Sequence, residues 1–349
     1  MDRIKHISPT DKAAYLAAAE RWDSIAKPLG SFGTLEEAVK KIAAIQGTPD
    51  VIITPRTAVI MCADHGVVAE GVTQCGSEVT AECAADIAEG RANINAVADI
   101  YGIDVIAVDI GMANDARSGR VINKKTARGT RNITQGAAMT EEQLRFAVTA
   151  GMDIVKTLRD NGTRLIVTGE MGIGNTTSAA AIAAVLLDLP PESVIGRGAG
   201  LSAKGLLRKT AAVKRAIEIN RPDRSAPAEL LRKLGGFEIA GMTGLFLGGA
   251  YYKIPVIIDG VISAAAAAIA CGIEPLCAEY MLASHCSREP AAEGLLRLCG
   301  NTPIINAGLR LGEGTGAALY VSLLDGALGL YRNARRFGET SIERYVEQK

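Results

Sequence analysis

The residues best suited to chemistry are acids and amides placed beside glycine. In LIVTGEMGIGNTTSAAAIAAVLL, residues 165 to 187, an apolar run closes on Glu170, passes Gly172, Ile173 and Gly174, and opens a helix near Asn175, Thr176 and Thr177. A strand that feeds a glycine turn and a helix start gathers unpaired N–H groups and the positive end of a helix dipole, which suits a phosphate. Gly172 and Gly174 permit close backbone approach to a ligand, but glycine equally serves a plain tight turn. The spacing matches neither the P-loop, since no Gly-Lys-Ser/Thr follows, nor the dinucleotide fingerprint. Glu170 could meet a ribose hydroxyl or a developing positive charge, or simply cap the helix start.

A second acid, Glu313, stands between Gly312 and Gly314 in RLGEGTGAAL, just ahead of a long apolar helix. Its two glycine neighbours leave the carboxylate accessible, so it is a candidate general base; a helix N-cap explains an acid there equally well. In ADHGVVAEGVTQCGSEVTAE, Asp64 and His65 end another apolar run. His65 changes charge near neutrality and could be an acid, a base or a structural hydrogen-bonding group. With three histidines in the chain and no G-x-S-x-G, a hydrolase triad has little support. In AKPLGSFGTLEEAVKKIAAIQG, Thr34 and Glu37 predict a capping box, and the loop carrying Lys27 could fold over a site.

Something must position these groups. Short β-branched runs at 57–66, 104–112, 163–172 and 254–260 predict strands buried on both faces, and helical stretches at 80–100, 140–159 and 175–187 lie between them. This alternation predicts an α/β fold with a parallel sheet and crossover helices on both sides, whose ligands bind beyond the strands' carboxyl ends. Residues 49–324 form the predicted large α/β domain. Residues 1–48 and 325–349 are predicted to pack together as a small helical domain. RPDRSAPAE, at 221 to 229, reads as an exposed loop, and no internal repeat is present.

Of 349 residues, 48% are hydrophobic and only 4% aromatic, and 38 basic residues balance 38 acidic ones. Such a balance offers no attraction to nucleic acid or membrane surfaces, so small-molecule substrates are expected. The seven cysteines form no C-x-x-C pair, against both a disulfide framework and a zinc site, and most are expected to be buried thiols. The charged start MDRIKHISPTDKAAY lacks a signal pattern, so a cytoplasmic location is expected. PVIIDGVISAAAAAIACGI, interrupted by Asp259, reads as strand then helix and not as a membrane span.

Taken jointly, KPLGSFGTLEE, ADHGVVAEGV, GRANINAVA, RGTRNIT with GAAMT, GEMGIGNTTSAAA, GGFEIAGMTG, IIDGVISAAAA, HCSREPA and RLGEGTGAAL resemble the nicotinate-nucleotide:dimethylbenzimidazole phosphoribosyltransferase family over nearly the whole chain. The resemblance implies a Rossmann-like parallel sheet, a small domain from the two ends, and a homodimer. It implies transfer of phosphoribose from nicotinate mononucleotide to a lower-ligand base of cobamide (vitamin B12) biosynthesis, with no metal or cofactor. By the same resemblance Glu313 is the base and Glu170 the second active-site acid. Gly172, Ile173, Gly174 and Asn175 hold phosphate, with Lys209, Gly312 and Gly314 also at the substrate, and Thr73, Ser77 and Leu311 meet the accepting base. One segment departs from the family pattern: GVTQCGSEVT has Thr73 for serine and no proline at 76. Related enzymes accept adenine or phenolic compounds such as phenol and p-cresol, some as heterodimers of paralogues, so the acceptor stays open. A mononucleotide-binding regulator without turnover is the alternative of another class; retention of both glutamates argues against it.

Overall fold

The computed structural model describes residues 2–198 and 200–346. Six segments pair in parallel: β1 (Arg56–Ala63), β2 (Asp104–Gly111), β3 (Ile122–Asn123), β4 (Leu165–Met171), β5 (Val256–Ile258) and β6 (Met281–Ala283). Four of these lie in the apolar runs read from sequence. The sheet order is β3-β2-β1-β4-β5-β6, so the direction of winding reverses between β1 and β4. At such a reversal the crossovers diverge to opposite faces and leave a crevice beyond the strand ends.

Why the strands are continuously apolar follows from what covers them. Val59, Met61 and Ala63 of β1 enter one core cluster while Ala58, Ile60 and Cys62 enter the other. β5 divides likewise, with Val256 and Ile258 on one side and Ile257 on the other. A period of two therefore meets apolar partners on both faces. One face carries α1 (Lys12–Ser24), α2 (Thr34–Gln46), α3 (Glu78–Ala88), α4 (Asn93–Ile100) and, later in the chain, α13 (Thr315–Asn333). The other carries α5 (Glu141–Asp160), α6 (Asn175–Leu187), α7 (Pro191–Val194), α8 (Ala203–Asn220), α9 (Pro227–Leu234), α10 (Phe237–Tyr252), α11 (Val261–Ile273) and α12 (Ala292–Leu298). The segment 255–273 is thus β5 followed by α11, and no helix among the described residues is long and apolar enough to cross a membrane. Small residues set the helix spacing: a Cβ on Gly151 would collide with the Gly241 carbonyl, and one on Gly244 with that of Val148, so α5 and α10 touch backbone to backbone.

The chain ends meet. Ile25 bridges Arg336 in antiparallel fashion, the Ala26 amide donates to the Arg335 carbonyl at 2.9 Å, and the rings of Trp22 and Tyr331 lie 5.0 Å apart. α13 starts near the strand ends and runs into this layer. The predicted capping box at Thr34 does not form. Gly33, at φ +57°, is the N-cap, and Thr34 is already helical. The acid one residue earlier does the work instead: Glu36 Oε1 accepts from the Phe32 amide at 2.9 Å and from Lys27 Nζ at 2.6 Å. Glu37 takes the Tyr15 hydroxyl. Lys27 is thereby held within its own loop.

Candidate active site

β4 and α6 meet at the reversal in strand order, and their junction can be built only with glycine. A Cβ on Gly172 would collide with the Ala63 carbonyl at the end of β1, and one on Gly174, at φ +99°, would lie 2.9 Å from His65 Cβ. Two of the four amides from Gly172 to Asn175 are spent on the protein. Ile173 N–H donates to Thr80 Oγ1 at 3.2 Å and Asn175 N–H to the Gly172 carbonyl. Gly174 and Thr176 supply first-turn amides whose protein acceptors the helix lacks by construction. Behind Thr176 lies Lys209, fully buried, whose Nζ donates to Thr176 Oγ1 at 2.8 Å and to the Gly196 carbonyl at 3.1 Å. Burial pushes its amine down to about 8, opposed by Glu289. An anion seated on this turn would meet helix amides with a buried ammonium behind them.

Asp64 and His65 do not reach the ligand side. Asp64 accepts from Thr80 Oγ1 at 2.6 Å and from the Ala113 amide at 2.8 Å, and burial pushes its carboxyl up. Thr80 is the group that receives Ile173 N–H, so Asp64 steadies the glycine turn through one hydroxyl. His65 bonds Ser178 of α6 through Nδ1 at 2.9 Å and Glu238 of α10 through Nε2 at 2.7 Å, and the His65 and Glu238 side chains are wholly buried. The structural reading of His65 is the one realised.

A cavity of about 350 Å³ opens above this scaffold. Glu170, Gly172, Ile173, Asn175, Leu311, Gly312 and Glu313 all line it, with Thr176, Gly198, Ser263, His285, Ser287, Glu289 and Arg310. Lys209 lies beneath it, and Gly314 caps α13 behind it. From the 73–83 segment the wall is Cys75, Val79 and Cys83. Thr73 instead donates to the Cys75 carbonyl at 2.9 Å, and Ser77 faces Asp64. Of the groups expected at the accepting base, then, Leu311 lines the cavity and Thr73 and Ser77 do not.

The two acids differ in their surroundings. Glu170 Oε2 accepts from Asn175 Nδ2, and Oε1 lies 3.0 Å from where a Cβ on Gly312 would stand. Burial, then the nearby charges of Glu238 and Asp259, push its carboxyl up to about 8. Glu313 has left-handed backbone at φ +59° between Gly312 at +91° and Gly314 at +84°. A non-glycine residue in that region is strained by roughly 1–2 kcal/mol. It does not cap its own helix: α13 receives instead Asp259 Oδ1 on the Ala317 amide at 2.9 Å. Glu313 accepts from Asn93 Nδ2 at 2.9 Å and from the Ile94 amide at 3.2 Å, so it closes the start of α4.

Sequence reasoning gave no role to Glu238, Asp259 or His285, although each falls in a quoted motif. His285 stands at the end of β6, and a Cβ on Gly316 would strike its ring. Ser284 Oγ donates to the Ile258 carbonyl at 2.6 Å, so towards His285 Nδ1, 3.0 Å away, it can only accept. Nδ1 therefore carries a proton directed at Ser284, and Nε2 lies beside Gly260 on the cavity wall. Among the described residues no cluster of three His, Cys, Asp or Glu is arranged to hold a metal ion.

A phosphoribosyltransferase family model matches residues 7–342. The nicotinate-nucleotide–dimethylbenzimidazole phosphoribosyltransferase of Acetivibrio thermocellus is 42% identical over 99% of this chain and 98% of its own length. The enzyme of the same name from Ruminiclostridium cellulolyticum is 43% identical over 94% and 93%. The crystal structure of CobT from Thermus thermophilus superposes with a TM-score of 0.90 at 36% identity, covering 95% of this chain and 100% of that one. With a full-length family match, relatives above 40% identity and the same fold, the chain belongs to the nicotinate-nucleotide–dimethylbenzimidazole phosphoribosyltransferase family.

Proposed function

We propose that the protein transfers phosphoribose from nicotinate mononucleotide to 5,6-dimethylbenzimidazole or a related lower-ligand base, giving an α-ribotide and nicotinate. The observation that carries this is one cavity lined by the glycine turn and helix start (Gly172, Ile173, Asn175 and Thr176, the last backed by Lys209), an acid raised towards neutrality (Glu170) and a helix-tethered acid (Glu313). The donor's 5′-phosphate suits the cradle. Its pyridinium leaves with the electrons of the C1′–N bond and becomes a neutral ring, so no general acid is needed. The imine nitrogen of the azole attacks C1′ from the opposite side, inverting β to α, and the azolium N–H then passes its proton to Glu313. Glu170, once ionised, stabilises the positive charge that develops on the ribose.

The same reading makes the working unit a homodimer in the cytoplasm, with the second copy closing the side on which Leu311, 57% exposed, and Arg310 face outwards. Incubation with nicotinate mononucleotide and dimethylbenzimidazole, adenine, phenol or p-cresol in turn, with products identified by mass, tests the proposal. The expected result is nicotinate and α-ribotide in equal amounts with dimethylbenzimidazole. Product from none of the four would overturn it in favour of a binding protein.

A further inference from the structure

We propose that Asn93, at the start of α4, is a positioning residue that aims the carboxylate of Glu313. The inference rests on the reading of Glu313 as base and extends it to a residue 220 positions away in sequence. GRANINAVA stands out in the sequence, yet neither the phosphate cradle nor the sheet explains it.

The geometry assigns its parts separately. Asn95 serves the helix itself: its Oδ1 accepts the Ala92 amide at 3.0 Å and its Nδ2 donates to the Ile87 carbonyl at 3.1 Å. Ile94 is fully buried and anchors α4 to the core. Asn93 is exposed, and its side chain has one hydrogen-bond partner among the described residues, Glu313 Oε1. A residue kept only for helix stability would not need an amide there, because alanine is the better helix former.

Glu313 needs such a partner. Its backbone is fixed by the left-handed turn seated on β4, where a Cβ on Gly169 would lie 2.7 Å from the Glu313 carbonyl. That fixes the Cα and leaves the side-chain torsions free. Two donors on two oxygens, Asn93 Nδ2 and the Ile94 amide, select one carboxylate orientation. A base held in line for the proton it accepts needs no search at the moment of reaction.

The test is a double-mutant cycle with a discriminating variant. Asn93→Ala should lower kcat about tenfold while leaving KM for nicotinate mononucleotide within about twofold, and in the Glu313→Gln background it should cost nothing further. Asn93→Asp separates aim from fold. An acid in the first turn favours the helix while its repulsion of Glu313 opposes folding, so its Tm should stay close to that of Asn93→Ala, yet it both removes the donor and pushes Glu313 off its aim, so kcat should fall below that of Asn93→Ala. Unchanged kcat in Asn93→Ala would overturn the proposal, as would equal losses in both backgrounds or a kcat in Asn93→Asp that follows its Tm. An inactive parent enzyme, or full activity in Glu313→Gln, would instead overturn the underlying functional reading.

Discussion

Glu170, at the end of β4, and Glu313, in the left-handed turn before α13, each stand just ahead of a glycine and a helix, and both line one cavity. Their supply of donors differs. Glu170 receives one side-chain amide and is crowded by Glu238 and Asp259, so burial and like charge push it up to about 8. Glu313 receives a side-chain amide and a helix-start amide from α4. The surroundings thus set two chemically identical groups apart. In the proposed mechanism Glu170, with its single donor, ionises when the pyridinium of the donor nucleotide arrives. In the same mechanism Glu313, tethered by two donors, is the acid already aimed to accept a proton.

The sharpest way to break this division is Glu313→Gln, which keeps shape, leaves one acceptor for the two α4 donors and removes basicity. Its kcat for dimethylbenzimidazole should fall about 10²–10⁴-fold with donor KM within about threefold, read as nicotinate release. A loss confined to KM would make Glu313 a binding group. Next in size is Lys209→Met. Removing the buried ammonium behind Thr176 should raise KM for the mononucleotide about 10–100-fold, with a much smaller change in kcat, because phosphate is bound alike in ground and transition states. An equal fall in kcat would show that Lys209 acts on the reacting centre.

The smallest effect is on stability, and its sign is the informative part. Glu170 has a folded-state pKa raised from 4.5 to about 8, so its contribution to stability is complete below 4.5 and is lost as pH rises through 8. Glu170→Gln should therefore be more stable than the parent at pH 8.5, by about 1–3 kcal/mol after allowing for partial solvent access, and the gap should close towards pH 5. Thermal denaturation at the two pH values checks this. A variant less stable at pH 8.5 would mean that the acid is held by partners and not starved of them.

How far the sequence could have revealed this division depends on distance along the chain. β1, β2, β4 and β5 were legible because each is a β-branched run buried on both faces, with side chains alternating between two clusters. β3 and β6 were not, since two residues, Ile122–Asn123, and three, Met281–Ala283, carry no period. The glycine turn at 172–174 was legible as a strand-to-helix turn, open between a cradle and a plain turn, but not that Ile173 spends its amide on Thr80. The local capping box at Thr34 failed because a left-handed Gly33 took the cap and Glu36 turned back to Lys27 and Phe32. Glu313 shows the same limit: spacing left it open between a base and a cap for the helix that follows it, whereas folding brings it to α4 and gives its own helix Asp259. Helix starts recruit acids from wherever the fold supplies them, and sequence order does not encode which.

Calorimetric titration of nicotinate mononucleotide at pH 7, in two buffers of different ionisation enthalpy, tests the division of labour most directly. The account requires that the parent and Glu313→Gln release up to one proton on binding, because the arriving pyridinium ionises Glu170, and that Glu170→Gln loses this release. Proton release that persists in Glu170→Gln and vanishes in Glu313→Gln would contradict it, for then Glu313 would be the group that answers to the donor.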